Sequence, residues 1–165
     1  GSNTSVRSEP ATVSLRSSAF PYQIIESASG VLDNSSFSGS FSFTNTPTGS
    51  YFIEISTINC LETWSSSAVA MTANGPTVFY DFTSANTQAY GNNLALEGTK
   101  WCIISGDVNQ DGIVDGADLS DVENNQGQGG DSLPIYAADV NGDGYVDASD
   151  IAWVENNLGL LAVIP

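Results

Sequence analysis

The sequence predicts a mainly β protein with a small α part: a β-sandwich of about seven strands followed by a pair of loop–helix units. Three observations lead there. Short apolar runs broken by Gly, Pro, Asn and Ser fill the first hundred positions, and no helical repeat precedes residue 118. The acidic stretch "GDVNQDGIVDGAD" at 106–118 returns as "ADVNGDGYVDASD" at 138–150. The charge is uneven: residues 1–100 hold seven acids and all three bases, whereas residues 101–165 hold twelve acids and no base. A boundary near residue 104 follows. It separates a sandwich over 11–104 from a second module over 105–165. Residues 1–10, opening on Gly1-Ser2 like an expression scar, are expected to be disordered.

The strands follow in order. "ATVSLRSS" (11–18) alternates, the period of a half-buried strand. "SGSFSFTNTP" (38–47) sets Phe41 and Phe43 on one face. "TGSYFIEIST" (48–57) sets Tyr51, Ile53 and Ile55 on one face and Phe52, Glu54 and Ser56 on the other, with "TPTG" (46–49) as the turn between the two runs. Further strands are expected in "SSAVAMTA" (66–73), "PTVFYDFT" (76–83) and "NLALEGTKWCII" (93–104).

The two acidic stretches, aligned at an offset of 32, agree at thirteen of twenty-two positions from Asp107 and Asp139 onward, which marks a duplicated unit. The shared pattern D-x-N-x-D-G-x-V-D-x-x-D has calcium-loop spacing. A hard cation needs six to eight oxygens, and a tight loop can supply them from alternate positions. Positions 1, 3 and 5 are Asp107, Asn109 and Asp111, then Asp139, Asn141 and Asp143. Position 6 turns sharply and is glycine in both copies. Position 7 offers the carbonyl of Ile113 or Tyr145. Position 9, Asp115 or Asp147, commonly acts through water, and position 12, Asp118 or Asp150, closes the sphere. Two calcium ions are therefore expected. Position 8 is Val114 or Val146, and these are expected to meet in a short strand pair that sets the loops back to back. Helices are expected at "DLSDVENNQ" (118–126) and "DIAWVENNL" (150–158), each with one apolar face.

The order loop–helix, linker, loop–helix, preceded by a strand ("KWCIISG") rather than a helix, resembles the type I dockerin module over residues 105–160. The stretch "SGSFSFTNTPTGSYFIEIS" resembles prealbumin-like sandwich modules of the carboxypeptidase-regulatory type over about 11–102. Together with "ETWS" and "QAYGNNLALEGTKWCIISGDVNQDG", the chain resembles sandwich-plus-dockerin units near the C-termini of secreted bacterial proteins. These resemblances imply a secreted or cell-surface location, no catalysis, and docking to a protein such as a cohesin. Dockerin recognition uses loop positions 10 and 11 and the helix residues after them. Here those are Gly116-Ala117 and Ala148-Ser149, with Glu123, Trp153 and Glu155 on the helices, and no base is present. Trp153 replaces its repeat mate Asp121, which leaves two roles open: a partner-facing anchor, or an internal one against the sandwich or the tail.

Exclusions complete the reading. A net charge of −16 leaves no basic patch for nucleic acid, and the absence of histidine removes His-based nucleophilic and zinc chemistry. No apolar run suits a membrane span. Cys60 and Cys102 could form a disulfide or remain thiols; both readings stand. Glu54, Glu62, Asp81 and Glu97 are expected on solvated strand faces. Trp64, Trp101, Tyr80 and Tyr90 are core residues or, in the alternative function, a sugar-stacking platform of a carbohydrate-binding module with structural calcium.

Overall fold

The computed structural model describes residues 8–33, 35–130 and 136–165. Strand β1 (Glu9–Ser17) is central, with Ala11, Val13 and Leu15 buried on one side. It pairs antiparallel with β2 (Ile24–Leu32) on one edge and with β3 (Gly49–Thr57) on the other. The far edge of β3 takes two short strands, β4 (Thr63–Trp64) and β5 (Val69–Met71). A second sheet is the hairpin β6 (Ala95–Glu97) and β7 (Lys100–Cys102). Helices α1 (Gly116–Asn124) and α2 (Ala148–Asn157) follow. The mainly β expectation with two late helices holds. The first strand opens at Glu9, so ordered structure begins inside the stretch expected to be disordered; residues 1–7 lie outside the described residues.

Several elements depart from expectation. Residues 38–47 form no ladder. The backbone N–H groups of Thr44 and Asn45 and the Thr46 hydroxyl all go to the Glu26 carboxylate instead, which bends the segment. Phe41 and Phe43 still pack together against the core of Ala11, Val13 and Ile55. Residues 76–83 are not a strand either: Asp81 accepts the Thr83 N–H and hydroxyl, a local turn that competes with extended pairing. The run 93–104 folds back on itself at Gly98, whose φ of +61° suits the turn, and so gives a hairpin. Strand β2 carries small residues at its centre, a weak alternation signal. Its Gly30 admits Phe41 closely, since a Cβ there would sit 2.9 Å from the ring.

The strand acids are not all solvated. Glu54 is buried and ion-paired with Arg16, whose guanidinium lies 5.1 Å from the centre of the Trp64 ring. Trp64 is 3% exposed and stacks edge-on with Tyr22 and Phe52, while Phe52 also meets Tyr90. These rings form an aromatic core, so Trp64 offers no sugar platform. The Tyr80 hydroxyl is bonded to Gln88 O. Both cysteines are free thiols, and burial pushes the Cys60 thiol up to about 12, which keeps it protonated.

The two parts share apolar packing. Leu61 and Ile104 lie in one buried cluster with Val114, Val122, Val140, Val146 and Val154. The C-terminal tail joins the same body. Ala162 packs on that cluster, and Val163 lies so close to Gly91 that a Cβ there would come within 2.4 Å of it. Leu61 is fully buried at this seam. Leu61→Ala should therefore destabilise the protein by about 2–5 kcal/mol. Thermal denaturation should show far-UV and tryptophan signals moving down together, because the lost packing belongs to both parts.

Candidate metal centre

Each acidic loop is built on a buried aspartate at its twelfth position. Asp118 Oδ1 accepts hydrogen bonds from the N–H groups of Val108 (2.8 Å) and Asn109 (3.1 Å), and its Oδ2 accepts from Asp115 N (2.8 Å). Asp150 repeats the pattern with Val140 (2.7 Å), Asn141 (3.0 Å) and Asp147 (2.9 Å). One carboxylate thus gathers the loop's first turn onto the start of its helix. Position 9 is the N-cap: Asp115 accepts from Ala117 N and Asp147 from Ser149 N, each at 2.7 Å, completing a reciprocal cap with position 12. The helices consequently begin two residues earlier than the sequence suggested.

The remaining positions follow the same logic. Asn109 and Asn141 accept from the N–H of position 5, and Asp111 and Asp143 accept from the N–H of position 7. Asp107 Oδ2 accepts from Gly112 N and Asp139 Oδ2 from Gly144 N. Both glycines have φ near +90° (88° and 95°), which only glycine adopts without strain. In the second copy Ser149 adds a hydroxyl that donates to Asp147 and a short contact to the Asn141 amide.

The valines at position 8 share the buried cluster but do not pair with each other through their backbones. Val114 N donates to Leu160 O, and Val114 O accepts from Gly159 N. Val146 N donates to Gln128 O, and Val146 O accepts from Gly127 N. Ala162 N donates to Gly112 O, and Gly130 N to Gly144 O. Each loop is therefore strapped by the chain leaving the other copy's helix, and every bond has its counterpart 32 residues away. The reason is local: Gly127 and Gly159, at φ of 83° and 86°, turn the chain out of each helix and across to the opposite loop. Val122 and Val154, also repeat mates, are fully buried between the helices.

Electrostatics set the loops' needs. Burial raises the carboxyls of Asp107, Asp139 and Asp150 above their ordinary value, and neighbouring aspartate charges push the same way. The Ser149 hydroxyl lowers Asp147. Among the described residues, no three Asp, Glu, His or Cys side chains converge as a ready ligand set; each loop carboxylate is turned onto backbone donors. The donor chemistry still fits a hard divalent cation. Each loop offers four carboxylates, one amide oxygen and one free-standing carbonyl position, all oxygen, with no base in the module. In the second loop Asp139 Oδ1 is buried with no hydrogen-bond partner, an acceptor in want of a positive charge.

The expected partner-facing residues separate into two kinds. Gly116, Ala117, Glu123, Ala148, Ser149 and Glu155 are exposed. Trp153 is half-buried, with part of its ring packed against the shared apolar cluster. The loop pattern could not reveal the seam contacts. Asn59 donates to Ala137 O (3.1 Å) and Asp139 O (3.0 Å), and Gln110 donates to Cys60 O (3.1 Å). Only Gln110 carried a signal, since its repeat mate is Gly142. Beside Gln110, an open cleft of about 440 Å³ is lined by Glu54, Glu62, Asp107 and Asp111.

Fold and site together define a strand-rich body carrying a duplicated, cross-strapped loop–helix module. Residues 105–159 match the dockerin type I domain family. No curated protein matches the chain. Two crystal structures of type II cohesin–X–dockerin complexes from Acetivibrio cellulolyticus contain chains similar in fold to this one. The C-terminal interface mutant gives a TM-score of 0.55 at 18% identity, and the N-terminal interface mutant 0.53 at 19%. Each alignment covers 98% of this chain and 89% of the other. The prealbumin-type likeness of the sandwich finds no counterpart among these matches.

Asp150→Ala removes the acceptor of three backbone N–H groups at once. It should destabilise the module by at least about 2 kcal/mol. Hydrogen exchange at Val140, Asn141 and Asp147 should accelerate ahead of amides in β1 and β3.

Proposed function

We propose that this chain is a non-catalytic docking module of an exported bacterial protein, which binds two calcium ions and presents a protein-binding surface on α1 and α2. The sandwich, residues 11–104, supports the docking module, residues 105–165. The observation that carries the reading is the duplicated oxygen-rich loop within a segment that matches the dockerin type I family.

In each loop the cation would be held by positions 1, 3, 5, 7, 9 and 12. These are Asp107, Asn109, Asp111, Ile113, Asp115 and Asp118 in the first, and Asp139, Asn141, Asp143, Tyr145, Asp147 and Asp150 in the second. A bound divalent cation supplies the counter-charge that eight aspartates otherwise lack. The chain does the rest: positions 12 and 9 orient each helix, and the straps fix one loop against the other. The exposed small residues Gly116, Ala117, Ala148 and Ser149 let a partner approach closely, with Glu123 and Glu155 on the same helices. Acidic helices favour a basic or polar partner, with salt slowing association. The crystal structures of similar fold are of cohesin complexes, which supports a cohesin-like partner here.

Calorimetry on chelator-treated protein should find two calcium sites per chain; none or one at millimolar calcium would defeat the reading. Capture of a partner from secreted and envelope fractions should require calcium. Ala117→Arg together with Ala148→Arg should abolish capture without lowering the melting temperature. Trp153→Ala should instead lower the melting temperature of the calcium-bound form, by about 2–4 kcal/mol of stability, since its ring packs inward.

A further inference from the structure

The two loops are near-copies, yet position 4 breaks their equivalence: it is Gln110 in the first and Gly142 in the second. In the first loop the Gln110 side-chain amide folds back onto the carbonyl of position 1. It donates to Asp107 O at 2.6 Å and, across the seam, to Cys60 O at 3.1 Å. Gln110 takes a φ of +60° to do so. Gly142 stands in the same left-handed region, at φ +74°, but has no side chain to give. The second loop nevertheless keeps the bond. Its position-1 carbonyl, Asp139 O, accepts from an amide at 3.0 Å, and that amide belongs to Asn59 of the sandwich.

Asn59 follows β3 and is 4% exposed. Its Nδ2 donates to Ala137 O and Asp139 O, at the entry to the second loop. Its own carbonyl accepts from Gly106 N at 2.8 Å, one residue before Asp107. One sandwich residue thus meets the entry of both loops, the first through its main chain and the second through its side chain. The consequence lies in the peptide that follows position 1. In the second loop the oxygen of the Asp139–Val140 peptide is held by Asn59 and its N–H by Asp150 Oδ1. In the first loop the same peptide, Asp107–Val108, is held by Gln110 and Asp118 Oδ1. A peptide fixed at both ends fixes the Cα of position 1, and with it the direction of a nearly buried carboxylate. Support of this kind, one step behind the ligand, sets how well a metal is held.

We propose that Asn59 is a positioning residue for the cation of the second loop, supplying from the sandwich the amide that the first loop carries in its own Gln110. This rests on the reading of the loops as calcium sites. The first loop holds its position-1 peptide from within, whereas the second is complete only with the sandwich seated on it. The sequence difference also shows how to remove that dependence. A Cβ at Gly142 would meet nothing within 4 Å, and the backbone there already has the conformation that Gln110 adopts. A glutamine at 142 can therefore make the bond from inside the loop.

The test is a calorimetric calcium titration of the chelator-treated full chain in two backgrounds that each leave one site: Asp111→Ala leaves the second loop, Asp143→Ala the first. Asn59→Ala should weaken the second-loop site about tenfold or more and leave the first-loop site unchanged. Gln110→Gly should do the reverse, and keeps the inference testable should the Asn59 variant not fold. Gly142→Gln should restore most of the affinity lost with Asn59→Ala, a recovery that a general weakening of the seam would not show. In metal-free protein, Asn59→Ala should speed hydrogen exchange at Val140 and Asn141 and not at Val108 and Asn109. An unchanged second-loop site after Asn59→Ala, or an unchanged first-loop site after Gln110→Gly, would overturn the inference and leave the calcium reading standing. Equal weakening of both sites by Asn59→Ala, or no rescue by Gly142→Gln, would make Asn59 a structural residue of the seam and overturn it too. No calcium binding by wild type would overturn both.

Discussion

The C-terminal half depends on two aspartates whose side chains are wholly removed from solvent. A buried carboxylate is tolerable only when its oxygens are satisfied, and Asp118 and Asp150 each satisfy three backbone N–H groups that no helix or ladder could otherwise reach. That one interaction closes the loop, starts the helix and sets the angle between them. The glycine at position 6, the N-cap at position 9 and the apolar stripe that buries Val122 or Val154 all follow from where this carboxylate stands. The short helices have modest intrinsic propensity, so fixed ends and a shared apolar core matter more to them than length.

Much of this was legible because it is local. The loop spacing, the glycine turns and the helix faces are patterns within twelve to twenty residues, and duplication let each copy check the other. The strands of highest alternation, β1 and β3, were legible for the same reason. Elsewhere a non-local partner decided the outcome. Glu26 drew the N–H groups of residues 44 and 45 away from a ladder, and nothing within that segment announced it. Glu54 stood at a polar position of β3 and reads as a solvated acid until Arg16 and Trp64 are seen over it. The position-8 valines were expected to pair with one another; the sequence contains the glycines that send the chain elsewhere, but not the destination. Asn59 is invisible to any loop pattern, since its bonds to the carbonyls of Ala137 and Asp139 join positions far apart in the chain.

The seam between the halves is polar at its rim and apolar at its centre. Leu61 and Ile104 enter the cluster formed by the loop valines, and around them Asn59, Gln110 and the backbone of 104–106 exchange hydrogen bonds with both sides. The charge boundary in the sequence thus marks a change in composition and not a hinge. A surface so acidic on one side of the seam also explains why its contacts are amides and carbonyls: neutral groups can cross it without adding to the repulsion.

The crossed straps impose an order on synthesis. The strap of the second loop, residues 127–130, leaves the ribosome before that loop does, so the second loop emerges to find its partner chain already waiting. The first loop must wait for residues 159–162, about fifty positions behind it, and cannot be finished until α2 and the turn after it are made. A nascent chain stalled or cut anywhere before that point carries an exposed, highly acidic first loop that nothing closes. The earlier copy in the chain is therefore the later one to close, and the segment that follows α2 acts as its latch.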